Sequence, residues 1–275
     1  MVEKRLSAVA VCCLMFLPVV TAAQTPNDNR LVALFADIKQ SGGVSPEIQK
    51  ALQGVMESIP SMAIEQVRSA IPAIAAALSA GDEQVQAIAA AACYAVIRRP
   101  DGTELLEREL PAVASLFRSP SHRVGYLAGL TLSNAKGKLD PDVMSPVVAA
   151  INQRSRSAAE RIPALATAVA VAPTDSAVID AVTAFMLEPL DASTKADALT
   201  AIRTSRIDVP AIRLELISWL QDSDARVKLG TISVLTRMGP EAVDWARLEL
   251  QRITERASEQ NDVRGAAAKA LQMLR

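Results

Sequence analysis

The chain has 275 residues, 29 of them basic and 30 acidic; half of its residues are hydrophobic and only 3% are aromatic. A formal net charge of −1 argues against nucleic acid as a partner. The single histidine, His122, removes most routes to a serine or cysteine triad.

Lys4 and Arg5 precede an apolar run from Leu6 to Val20 and the small residues Thr21, Ala22 and Ala23, the layout of a secretory signal peptide over residues 1–23. Such a run, at about 1.5 Å per residue, falls short of the roughly 20 residues that span a bilayer, so no stable membrane span is expected after cleavage. Val11, before Cys12, is not the small residue that lipid attachment needs. Of the three cysteines only Cys93 then remains, which excludes an internal disulfide and a four-ligand zinc site. A short linker over residues 24–29 leads to a first helix predicted from Arg30 to about Gln40, and Ser41-Gly42-Gly43 turns the chain into the next helix.

From there one pattern recurs every 33 to 39 residues. A capping residue is followed three, seven and eleven positions later by small or medium, mostly apolar residues. Ser45 leads to Ile48, Leu52 and Met56; Asp82 to Val85, Ala89 and Cys93; Ser121 to Val124, Ala128 and Leu132; Ser155 to Ala158, Ile162 and Ala166. Asp191 leads to Thr194, Ala198 and Ile202; Asp224 to Val227, Thr231 and Leu235; and Gln260, a poor cap, to Val263, Ala267 and Leu271. Steps of four place each stripe on one helical face, and Ser or Asp accepts from the unpaired N–H groups of a helix's first turn. Helix pairs repeating at this period predict an all-α fold, an α-solenoid of about seven stacked units over residues 30–275.

The strongest breakers fall between units, at Arg99-Pro100-Asp101-Gly102, Gly137 to Pro141, Ala172-Pro173-Thr174 and Gly239-Pro240. Pro72, Pro111 and Pro146 lie inside predicted first helices and are expected to bend them. With Leu220-Gln221-Asp222-Ser223-Asp224-Ala225-Arg226-Val227-Lys228, and with Val263-Arg264 followed by Ala267 and Leu271, the chain resembles the HEAT-repeat family. The central copies depart from that pattern, Gly125 standing where a basic residue is usual and Ala158 in place of Val. The resemblance implies an armadillo-like stack whose second helices line the concave face and hold a protein or an extended peptide.

Little in the chain suggests chemistry. Asp222-Ser223-Asp224 and Asp140-Pro141-Asp142 lack the glycine and distal Glu of a calcium loop and read as helix caps. Trp219 and Trp245 read as packing residues in first helices, and Cys93 as a small buried thiol. Arg98, Arg99, Arg203, Arg206 and Arg237 fall near the ends of second helices, where the helix dipole favours cations; Glu104, Glu107, Asp140, Asp142 and Glu241 are expected on the same edge to neutralise them. A second basic group, Arg118, His122, Arg123, Arg154 and Arg156, flanks the internal turns of two consecutive units with few acids nearby, and is the candidate contact surface for an anionic partner.

These features predict an exported, non-enzymatic scaffold, periplasmic or secreted, that binds a protein or peptide and needs no cofactor or metal. The alternative is a cofactor-handling accessory or enzyme of the bilin-lyase-like type, whose members also resemble HEAT repeats. Export and net charge argue against the HEAT-like DNA glycosylases.

Overall fold

The computed structural model describes residues 30–41, 46–137, 139–203 and 209–274, and no strand occurs among them. The helices come in pairs. In the first three units α1 (Arg30–Ser41) precedes α2 (Pro46–Ser58), α3 (Ile64–Leu78) precedes α4 (Glu83–Ile97), and a divided first helix, α5 (Gly102–Leu106) and α6 (Leu110–Ser115), precedes α7 (His122–Asn134). Then α8 (Pro141–Ile151) precedes α9 (Ala158–Val171), α10 (Ser176–Met186) precedes α11 (Ala192–Ile202), and α12 (Pro210–Trp219) precedes α13 (Ala225–Met238). The last unit joins α14 (Pro240–Trp245) and α15 (Arg247–Glu255) to α16 (Asn261–Leu271). Second helices pack on one another in chain order, α2, α4, α7, α9, α11, α13 and α16, and first helices α1, α3, α6, α8, α10 and α12 do the same. The fold is therefore an all-α solenoid of seven helix pairs in two layers. The apolar segment and linker of residues 1–29, the cap Ser45 and Arg206 lie outside the described residues.

The stripe predicted from the sequence is the core. Ala89, Cys93, Val124, Ala128, Leu132, Ala198, Val227, Thr231, Val263 and Ala267 are completely buried. Asp82 accepts from the N–H groups of Gln84 and Val85, Asp191 from Thr194 and Asp224 from Arg226. Ser121 and Gln260 occupy N-cap positions without a side-chain cap bond.

The fourth unit corrects the expected register by two residues. Its cap is Ser157, not Ser155. Ser157 Oγ accepts from the Glu160 N–H, and the Glu160 carboxylate accepts from the Ser157 N–H at 2.8 Å, a reciprocal box that Ser155, with Ala158 three residues on, cannot form. The buried stripe is consequently Ala164 and Ala168, while Ile162 and Ala166 are only half-buried. The prolines also act differently from one another. Pro72 and Pro146 lie within continuous α3 and α8, whereas before Pro111 the helix tightens into a 3₁₀ turn, Glu107–Glu109, because the ring cannot donate to the carbonyl four residues back and crowds it.

Two features hold the units in register. The first is close backbone approach. A Cβ added at Gly129 in α7 would lie 2.5 Å from Thr167 Oγ1 in α9, a buried hydroxyl that donates to the Pro163 carbonyl at 2.8 Å. The second is a ladder of ion pairs. In the fourth, fifth and sixth units a basic residue four positions past the cap reaches an acid in the internal turn of the next unit. Arg161 donates to both Glu188 oxygens, Lys195 to Asp222 at 2.8 Å, and Lys228 to Glu259. The Arg161 and Lys228 side chains are 3% and 8% exposed, so these are largely desolvated pairs whose partners must stay in place.

The bond from Arg161 holds the Glu188 carboxyl below its ordinary 4.5, and the bond from Lys228 does the same for Glu259. At Asp222 burial pushes upward, and it is outweighed by the Lys195 bond and the Asp224 N–H together. A depressed carboxyl pKa means that the unfolded chain binds protons first as pH falls. The ladder's stabilisation should therefore be complete above about pH 5 and be lost progressively below about pH 4. Thermal melts followed by circular dichroism should show a flat midpoint from neutrality to the first value and a steep fall beyond the second, smaller in Glu188→Gln.

Lys228→Met leaves buried Glu259 with only the exposed Arg256, 3.9 Å away, and should cost about 3 kcal/mol in urea unfolding, most of it regained in Lys228→Met/Glu259→Leu. Gly129→Ala should destabilise by about 1 kcal/mol because the Thr167 contact outweighs the gain in helix propensity. Gly265→Ala, where a Cβ meets nothing within 4 Å, should stabilise by a similar amount. Equal effects at the two glycines would refute the packing argument.

Candidate functional site

The internal turns of the third and fourth units lie side by side, as the repeat predicts. The guanidinium of Arg156 donates to the Phe117 carbonyl, which stitches the 152–157 turn to the 3₁₀ turn Leu116–Arg118. This bond gives Arg156 a structural task and half-buries it. Arg154, 75% exposed, points the other way, its Nε 3.7 Å from Glu188 in the following turn. Acids are thus closer to this cluster than the sequence suggests: Glu188 faces Arg154, and Glu160 caps α9 beside Arg156. Arg118, His122 and Arg123 are exposed and form no hydrogen bond or ion pair with a described residue. His122 is the first residue of α7 and forms no hydrogen bond with the hydroxyls of Ser119 and Ser121 that precede it.

The second-helix layer carries the other exposed groups. The basic rim read from the sequence divides into members with partners and members without. Arg99 is buried and donates to the Ile59 and Met62 carbonyls at 2.8 Å each, closing the gap between the first two units, and it pairs with Asp101 at 2.9 Å. Arg98 lies over the Tyr94 ring, 5.7 Å from its centroid. Arg203 and Arg237 are exposed and form no ion pair or hydrogen bond with a described residue. The expected neutralisation does not occur: Glu104, Glu107, Asp140, Asp142 and Glu241 form no ion pair with a described residue, because they sit on the first helices while these cations project from the second-helix layer.

Arg203, Arg237 and Lys269 border one groove of about 520 Å³ between α11, α13 and α16. Its floor is Leu229, Ile232, Ala266 and Ala270, with the hydroxyls of Ser233 and Thr236 on one wall, and no lining residue is acidic. Thr236 Oγ1 donates to the Ile232 carbonyl, which leaves the hydroxyl oxygen as an acceptor. Each cation comes from a different unit and stands at the C-terminal end of its helix. Sequence reasoning found the two arginines but not Lys269, whose kinship with them depends on α13 and α16 being neighbours. A separate cleft of about 590 Å³ between α1, α3 and the start of α4 is apolar, lined by Val32, Phe35, Ala73, Ala76 and Val85.

The remaining candidates are structural. Burial pushes the Cys93 thiol up to about 12, so it is not a thiolate at neutral pH. Trp219 is buried, donates to Glu215 at 2.6 Å and lies under the Lys195 ammonium; the Arg213 guanidinium stacks on Trp245 at 3.8 Å. Asp224 is the helix cap its sequence reading expects, whereas Asp222 accepts from the Asp224 N–H within the turn and from Lys195, and Asp140 stands at an N-cap without a side-chain cap bond. Among the described residues no three of His, Cys, Asp and Glu converge as metal ligands, and no helix is long and apolar enough to cross a membrane.

No family model matches the chain, and no curated protein matches it by sequence. Among solved structures, a designed armadillo repeat protein, YIII(Dq.V1)4CPAF in complex with the peptide (KR)4, is similar over 90% of this chain and 99% of its own, with a TM-score of 0.43 and 18% identity. A computationally designed armadillo repeat protein for modular peptide recognition covers the same shares with a TM-score of 0.40 and 16% identity. Neither likeness is close enough to carry a function to this chain.

Proposed function

We propose that the protein is an exported, non-enzymatic HEAT-like scaffold that holds a protein or peptide partner on its solenoid surface. The observation that carries this reading is the unbroken row of second helices, which leaves side chains of successive units, among them Tyr126 and Arg237, exposed on one layer. A surface of this kind meets an elongated partner through many small contacts rather than through one deep pocket. Arg118, His122 and Arg123, with Arg154 and Arg156 beside them, form a second candidate contact on the turn edge. A non-enzymatic role is supported by the state of the chain's two obvious nucleophile and base candidates, Cys93 sealed in the core and His122 isolated at a helix start.

Residues 1–23 act in this reading as a cleaved signal peptide, residues 24–29 as a linker and residues 30–275 as the repeat domain. Support comes from the Lys4-Arg5 pair, the apolar run and the small residues that end it. The protein then works in the periplasm or outside the cell.

Fractionation of cells making the full chain with a C-terminal tag should yield an exported product whose N-terminal sequence begins near Gln24. An intact chain kept in the cytoplasm would refute export. Affinity capture from an envelope extract should retrieve a defined partner, at least tenfold depleted with Arg118→Glu/Arg123→Glu if the turn edge makes the contact and unchanged if the second-helix layer does. Capture of nothing above an untagged control would refute the scaffold reading.

A further inference from the structure

The groove between α11, α13 and α16 has properties that a solvated helix edge does not need. Cations at helix C-termini are favourable on their own, through the dipole. That account explains one cation per helix and predicts no relation among them. Here the three occur in consecutive units, border a single groove and pair with no described carboxylate. The preceding second helices differ: α4 ends with Arg98 and Arg99, both engaged, and the last turns of α7 and α9 carry no cation. Three exposed like charges around one groove repel one another only weakly in water, and an anion lying in the groove would draw on all three.

The floor narrows the class of anion. Leu229, Ile232, Ala266 and Ala270 give it an apolar strip, and Ser233 and Thr236 add hydroxyls. A single-stranded nucleic acid would need aromatic stacking platforms, and the groove contains none. A peptide supplies both small apolar side chains for the floor and carboxylates for the rim. Neighbouring helix axes are roughly 8–10 Å apart, and an extended chain advances about 3.3 Å per residue. A peptide crossing the second helices therefore meets successive cations about every three residues.

We propose that the groove bounded by Arg203, Arg237 and Lys269 binds an extended acidic peptide segment whose carboxylates recur about every third residue with small apolar residues between them. This rests on the scaffold reading and specifies its partner. The arginines grip a carboxylate in bidentate fashion, the lysine acts as a point charge, and the apolar residues between the acids lie on Leu229 and Ile232.

The test uses a fluorescein-labelled dodecapeptide of four Glu-Val-Ala repeats, read by anisotropy against the purified protein. Saturable binding is expected, weakened by added salt, and weakened roughly tenfold or more in Arg203→Gln/Arg237→Gln/Lys269→Gln. All three side chains are exposed, so helical circular dichroism should be unchanged. Arg237→Gln alone, with an expected loss of about threefold, serves if the triple variant is unstable. The proposal is overturned by no binding, by equal binding of a Lys-Val-Ala dodecapeptide, by an undiminished affinity in the triple variant, or by an oligothymidine that displaces the peptide and binds more tightly. If the triple variant still captures the wild-type partner from an envelope extract, the groove proposal fails while the scaffold reading stands.

Discussion

One helix of this protein cannot bury its own apolar stripe, and everything else follows from that. The stripes are made of small residues such as Ala89, Ala128, Ala198 and Ala267, each completely buried, and Ala offers little area to a partner at ordinary helix separation. Burial by such residues works only if helices approach closely along their whole length. The second helices achieve this by stacking in chain order, and the approach is tight enough at Gly129 and Gly230 that an added methyl group would press on Thr167 or Leu199. Stability in such an array is a sum of terms between neighbours, which is why the interfaces and not a central core decide it.

Small apolar residues alone would let neighbouring helices slide. The ladder of Arg161 with Glu188, Lys195 with Asp222 and Lys228 with Glu259 supplies direction, since each bond requires one turn to sit beside the start of the previous second helix. The third unit lacks this device, because Gly125 occupies the basic position, and there Arg156 reaches backward to the Phe117 carbonyl. The same joint is thus held by a donor from the opposite side. Buried threonines add no competing polarity, since Thr131, Thr167 and Thr231 each donate to a carbonyl one turn back in their own helix.

Charges used in these joints are unavailable to a partner, and those left over are the ones the proposed contacts draw on. Arg99 and Arg156 look in sequence like members of basic patches, yet each is spent on backbone carbonyls of a neighbouring unit. Among the described residues Arg203, Arg237 and Lys269 are left over, as are Arg118 and Arg123. A solenoid with a nearly neutral sequence therefore presents two local basic surfaces, because neutralisation is decided by geometry and not by the total count.

The repeat, the all-α class, most helix starts and the buried stripe were legible in the residues alone, because a stripe of four-residue steps and a capping Asp are local features that neighbouring helices only reinforce. Even the misplaced start of the fourth unit had a local signal, the Ser157 and Glu160 box, which the competing Ser155 obscured. The pairing of charges was not legible. Whether Arg161 meets Glu188 and whether Lys269 joins Arg203 around one groove are set by contacts between residues 27 and 66 positions apart, and sequence order carries no record of which side chains a stack of helices brings within reach.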